Sequence, residues 1–91
     1  MTRMGRKELE ATIRVILRAE GRLSIDPADL DGGDDLFAAG MTSHASVSVM
    51  LALEETFDIE FPERMLRRQT FESVGAIADA LLSLIEGDVT C

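Results

Sequence analysis

Three things are scarce in this 91-residue chain: cysteine, basic charge and long apolar runs. The one cysteine, Cys91, allows no internal disulfide, which suits a reducing compartment. A catalytic thiol at that position would be untethered, so Cys91 is read as a tail residue. Only 9 Lys and Arg stand against 17 Asp and Glu, giving a net charge of -8. Phosphate backbones and anionic lipid surfaces reward clustered cations, so neither nucleic acid nor membrane is the expected partner. Basic protein surfaces would be attracted instead. Arg3, Arg6 and Lys7 stand near the start, but Glu8, Glu10 and Arg14 interrupt the apolar positions after them. With no signal-peptide core and no stretch long enough to span a bilayer, the expected address is the cytoplasm.

What is present reads as one globular domain over residues 1–91. Hydrophobic residues make up 46% of the chain and charged ones 29%, a mixture typical of folded proteins. A domain of this size buries roughly 60–65% of its unfolded surface. Deep, walled active sites are hard to build on so small a core, so a binding, carrier or regulatory module, monomeric, is expected rather than an enzyme.

Hydrophobic spacing divides the chain into helices and one long loop, with no strand pair and no internal repeat. Leu9, Ile13, Ile16 and Leu17 recur at helical spacing, predicting a first helix over about 7–19 that Gly21 ends. Residues 20–42 hold Pro27, Gly32, Gly33, Gly40 and several aspartates, a loop pinned by Leu23, Ile25, Leu30, Leu36 and Phe37. A short helical turn is expected between Asp34 and Gly40. A second helix follows over 43–57, a short third over 62–68 with Pro62 at its first position, and a last one over 73–85 capped by Ser73. Val74, Ile77, Ala78, Leu81 and Ile85 share one face of that last helix, and Gly87 stops it. The predicted fold class is all-α, a four-helix bundle with a long first loop, a short third helix and flexible ends.

The second helix carries the chemical interest. Thr42 or Ser43 can cap it, each offering an oxygen to the free amides of the first turn. Val49, Met50, Leu53 and Phe57 form its core stripe. Ser43, Val47, Leu51, Glu54 and Asp58 form an adjoining stripe, with Val47 and Leu51 partly exposed. A serine at a helix N-terminus is well placed to carry a phosphodiester, since free amides and the helix dipole favour negative charge there. The residues alone leave two readings open: an attachment serine above a docking patch, or a capping serine beside a widened core stripe.

The stretch Gly40-Met41-Thr42-Ser43-His44, followed by Leu53-Glu54-Glu55-Thr56-Phe57-Asp58-Ile59-Glu60-Phe61-Pro62, resembles the acyl and peptidyl carrier proteins. In that family the pattern reads roughly G-x-D-S-L, then L-E-E-x-F-x-I-x-I-P. The likeness covers about residues 30–85, and Phe71-Glu72-Ser73-Val74 matches the family's entry into its last helix. It implies an acyl-carrier-protein-like bundle in which Ser43 bears 4'-phosphopantetheine, transferred from coenzyme A by a phosphopantetheinyl transferase. The mature molecule is then a phosphoprotein without catalytic residues or a metal site.

Departures from the pattern narrow the expectation. The aspartate before the serine is Thr42 and the leucine after it is His44. Thr42 keeps the capping oxygen but loses a charge. His44 has no titratable partner pinned beside it, so it is read as solvated rather than catalytic. From His44 to Met50 there is no carboxylate, and the short helix adds Arg64, Arg67 and Arg68. Carriers with an acidic face meet basic partners, which these arginines would repel. Together with Ala45-Ser46-Val47 and Phe57 to Pro62, these signs are similar to stand-alone bacterial aminoacyl carrier proteins. That resemblance implies an amino acid:carrier-protein ligase related to seryl-tRNA synthetase as partner, loading an amino acid through its adenylate, and an unidentified downstream acceptor enzyme. Thr42, His44, Val47, Leu51, Arg64, Arg67 and Arg68 are the expected partner-binding residues. The rivals are an acyl or polyketide carrier for fatty or malonyl-type groups and an unmodified helical interaction module. A small hydrolase using Ser43 and His44 is discounted, since adjacent helix residues do not face each other.

Overall fold

A computed structural model describes residues 5–85; Arg3, Gly87, Cys91 and the expected flexible ends lie outside them. Helix α1 spans Arg6–Ile16 and runs into a single π-helical turn, Leu17–Gly21. Helix α2 spans Ser43–Phe57 and α3 spans Val74–Ile85. No strand occurs among the described residues. Leu9, Ile13, Ile16 and Leu17 are all buried, and with them α1 packs on α3 while the π turn packs on α2. Val49, Leu53, Val74, Ile77, Ala78 and Leu81 complete the centre of the core. Ser73 Oγ accepts from the Ala76 amide at 3.0 Å, capping α3 as its sequence predicts.

The helix expected over 62–68 is not an α-helix. Two short 3-10 turns, Glu63–Met65 and Arg68–Phe71, replace it, so the described residues hold three α-helices rather than four. Phe61 and Phe71, both buried, meet edge to face with centroids 5.3 Å apart. Seven residues of α-helix would advance the chain about 10 Å, leaving Gln69 and Thr70 alone to bring Phe71 back. The aromatic contact therefore favours a folded strap over a straight helix. At the end of α1 the left-handed residue is Arg22 (φ 54°), one position after the glycine expected to stop the helix.

The long loop is held by more than its apolar pins. Leu30 and Leu36 are buried and Leu23 and Phe37 half-buried, but Ile25 is exposed and pins nothing. Arg14 donates from Nε to the Pro27 carbonyl (3.1 Å), which also accepts from the Leu30 amide, and from Nη2 to the Leu30 carbonyl (2.7 Å), an acceptor with no other partner among the described residues. At its far side the loop is stitched to the entry of α3: the Leu36 amide donates to the Glu72 carbonyl (2.7 Å) and the Gly75 amide to the Gly32 carbonyl (2.8 Å). The expected turn before Gly40 is present, with the Ala39 amide donating to the Asp35 carbonyl at 3.1 Å. Gly40 has φ +115°, and a Cβ there would sit 3.2 Å from the Ser24 amide nitrogen, so this bend into α2 requires glycine.

Candidate functional site

The Gly40 bend delivers Thr42 in extended conformation at the head of α2. Thr42 Oγ1 accepts from the Ala45 amide at 3.0 Å, and its carbonyl accepts from the Ser46 amide at 2.9 Å. Thr42 is thus the cap, and the choice between Thr42 and Ser43 is settled in its favour. Ser43 occupies the first helical position, exposed, and its hydroxyl makes no hydrogen bond among the described residues. The capping role that would have occupied Ser43 belongs to its neighbour. No carboxylate lies in the first turn of α2, so the positive end of the helix dipole beside Ser43 is uncompensated.

Ser43 lines a cleft of about 480 Å³ between α2 and the strap. Val47 and Met50 continue its α2 wall, and Leu66, Arg67, Arg68 and Phe71 form the opposite one. Phe37 reaches in from the long loop, with the Arg68 guanidinium 4.1 Å from its ring centroid. Val47 is 50% exposed and Leu66 48%, so the cleft has an apolar lip open to solvent. Leu51, 54% exposed, lies one turn beyond Val47 and extends that surface along α2 without lining the cleft.

Of the expected partner residues, the structure brings Val47, Arg67 and Arg68 to the same cleft as Ser43. Thr42 and His44 flank the serine, both exposed. Arg64 is exposed but lines a separate shallow depression with Met65, Thr70, Ala76 and Asp79, to which Arg67 also contributes. Sequence reasoning missed Ser46, Met50, Leu66, Phe37 and Phe71 as cleft residues. Ser46 could have been found at three residues beyond Ser43 on the same helical face; its Oγ donates to the Ser43 carbonyl at 2.7 Å. Met50, expected in the core stripe, is half-buried, one side inward and one in the cleft wall. Leu66 falls within the expected helix that does not form.

The C-terminal end of α2 is equally defined. Asp58 is left-handed (φ 55°), and the Asp58 amide donates back to the Glu54 carbonyl. The Glu54 carboxylate accepts from the Phe61 amide at 2.9 Å. The first glutamate of the Leu-Glu-Glu stretch thus has a structural role, anchoring the chain segment that leads into the strap.

A family model described as a phosphopantetheine attachment site matches residues 12–81. The chain is 44% identical over 79 residues to an aminoacyl carrier protein of Agrobacterium fabrum (strain C58), spanning 87% of this chain and 95% of that one. It is 32% identical over 80 residues to part of a non-reducing polyketide synthase of Byssochlamys spectabilis, spanning 87% of this chain and 4% of the synthase. Its fold matches a chain in the crystal structure of an engineered Bradyrhizobium japonicum glycine:[carrier protein] ligase complexed with carrier protein from Agrobacterium tumefaciens and ATP. That match has a TM-score of 0.81 and 45% identity, covering 84% of this chain and 99% of the other.

Proposed function

This chain belongs to the phosphopantetheine-attachment family of carrier proteins, and from that premise we propose that Ser43 bears the arm and that its cargo is an aminoacyl group. The observation that carries the site is the state of Ser43: exposed, first in α2, relieved of capping by Thr42, and open to a cleft. The residues present fit the group. The uncompensated start of α2 favours the negative charge of a phosphodiester, and the free hydroxyl leaves the nucleophile unencumbered.

Ser43 Oγ attacks the pantetheine-side phosphorus of coenzyme A within a phosphopantetheinyl transferase. The new O–P bond forms as the phosphoanhydride breaks, adenosine 3',5'-bisphosphate leaves, and the hydroxyl proton passes to a base of the transferase, which also supplies magnesium. When bound, the arm supplies a terminal thiol that holds an acyl group as a thioester. The carrier catalyses nothing itself; it presents the arm and is recognised. Val47 and Leu51 offer the apolar part of a docking face beside Ser43, Thr42 and His44 border it, and Arg64, Arg67 and Arg68 offer the charged part. A ligase partner of the amino acid:carrier-protein type is supported by the 44% identity to an aminoacyl carrier and by the ligase-bound fold relative. A downstream enzyme accepts the acyl group, and a cytoplasmic address follows from the need for coenzyme A and ATP.

The test has two stages. Incubated with coenzyme A and a broad-specificity transferase, wild type gains the mass of one phosphopantetheinyl group and Ser43→Ala gains none; a Ser43→Ala protein modified as readily as wild type sinks the site assignment. The modified protein is then offered an amino acid, ATP and an amino acid:carrier-protein ligase, or malonyl-coenzyme A and an acyltransferase. Aminoacylation is the expected outcome. Loading with malonyl alone would favour the polyketide-type reading that the 32% match brings in.

A further inference from the structure

The two arginines at the Ser43 cleft are engaged in different ways. Arg68 lies over the Phe37 ring, a face-on contact that fastens the strap to the long loop. Arg67 donates only from Nε, to the Arg64 carbonyl at 3.1 Å. That bond orients the guanidinium plane and leaves both terminal nitrogens without a protein acceptor among the described residues. In a chain with 17 acidic residues and 9 basic ones, an oriented guanidinium with no carboxylate partner among those residues lines the same cleft as the serine. Arg6 and Arg18, by contrast, are both paired with aspartates.

A guanidinium offers two parallel N–H donors in a fixed fork, the geometry that matches two oxygens of a phosphate. We propose that Arg67 is a positioning residue for the arm, its terminal nitrogens holding the non-bridging oxygens of the phosphodiester on Ser43. The inference rests on Ser43 being the attachment point. It separates Arg67, which borders both the Ser43 cleft and the neighbouring depression, from Arg64, which lines the depression and not the cleft. Such a contact would fix the direction in which the arm leaves α2.

The experiment compares apo and coenzyme-A-modified protein by side-chain arginine and phosphorus NMR, with intact mass confirming modification. In wild type, the Arg67 terminal N–H signals move and exchange more slowly on modification, while those of Arg64 do not. The phosphorus resonance of modified Arg67→Gln differs from wild type, that of Arg64→Gln does not, and Arg67→Lys recovers part of the difference by restoring charge without the fork. At about 1 M salt, where the Debye length is about 3 Å, the wild-type and Arg67→Gln resonances converge. If the mass rises but the Arg67 signals coincide in apo and modified wild type, this inference is wrong and the attachment reading stands. If wild type gains no mass, both fall. The wild-type comparison needs no variant to fold, and the apo amide spectrum of Arg67→Gln, unchanged outside residues 63–71, excludes a merely structural effect.

Discussion

Replacing Thr42 by alanine removes one hydrogen-bond acceptor and little else. The side chain is exposed, so no core contact is lost, and the Ala45 amide loses the 3.0 Å bond to Thr42 Oγ1. Loss of an N-cap of this kind costs about 1 kcal/mol. For a domain of this length that lowers the melting temperature by about 4–8 °C. Ser43→Ala is the paired control. Its hydroxyl has no partner among the described residues, so the change falls within about 0.5 kcal/mol, as for other surface substitutions. Thr42→Asp keeps the acceptor and adds a charge at the positive end of α2, for a gain of about 0.3–1 kcal/mol in apo protein. On the proposed attachment at Ser43 that gain shrinks in modified protein, because like charges then share the site. Thermal melts followed by circular dichroism, on proteins shown by mass to be unmodified, measure all three. A Thr42→Ala protein that melts with wild type, or a Ser43→Ala protein that melts below Thr42→Ala, would overturn the assignment of the cap and with it the argument that Ser43 is free.

Glu54→Ala strands the Phe61 amide, whose 2.9 Å bond is to a carboxylate; a loss of about 1.5 kcal/mol is expected in urea denaturation, with Glu54→Gln intermediate. Asp26 accepts from the Ala28 amide and from Arg18, which together lower its pKa below the ordinary 3.8. Its stabilising contribution is therefore present above that value and is lost as the pH falls through the lowered folded-state pKa. Wild type should exceed Asp26→Asn in urea midpoint near about pH 7, and the gap should close in acid; a gap that persists below the folded pKa would contradict the linkage.

The span of α2 was legible because its punctuation is local. Gly40 and Thr42 precede it and Pro62 follows it, whereas Asp58, expected on its outer stripe, is left-handed and lies just past its end. The apolar period of α1 and of α3 likewise identified buried faces, though Ile85 proved exposed. The strap was not legible, since Pro62 followed by charged helix formers reads as a helix until Phe61 and Phe71 are known to touch across ten residues. Arg14 as a loop anchor was equally hidden, because its acceptors are backbone carbonyls, which leave no mark in a sequence. At the site, the serine and Val47 could be read from one helix, whereas the facing wall required the strap to be placed.

The two backbone bonds that stitch the long loop to the entry of α3 also bear on when the protein becomes competent. Gly32 and Leu36 find their partners at Gly75 and Glu72, some forty residues later in synthesis. Contacts of such separation form late, after the closure entropy of the intervening chain has been met. During translation, which adds about 5–20 residues per second, the approach to Ser43 thus stays unformed for seconds after the serine itself is made. On the proposed attachment at Ser43, a transferase that reads the folded surroundings of the serine would find its substrate only after residues 72–75 have emerged.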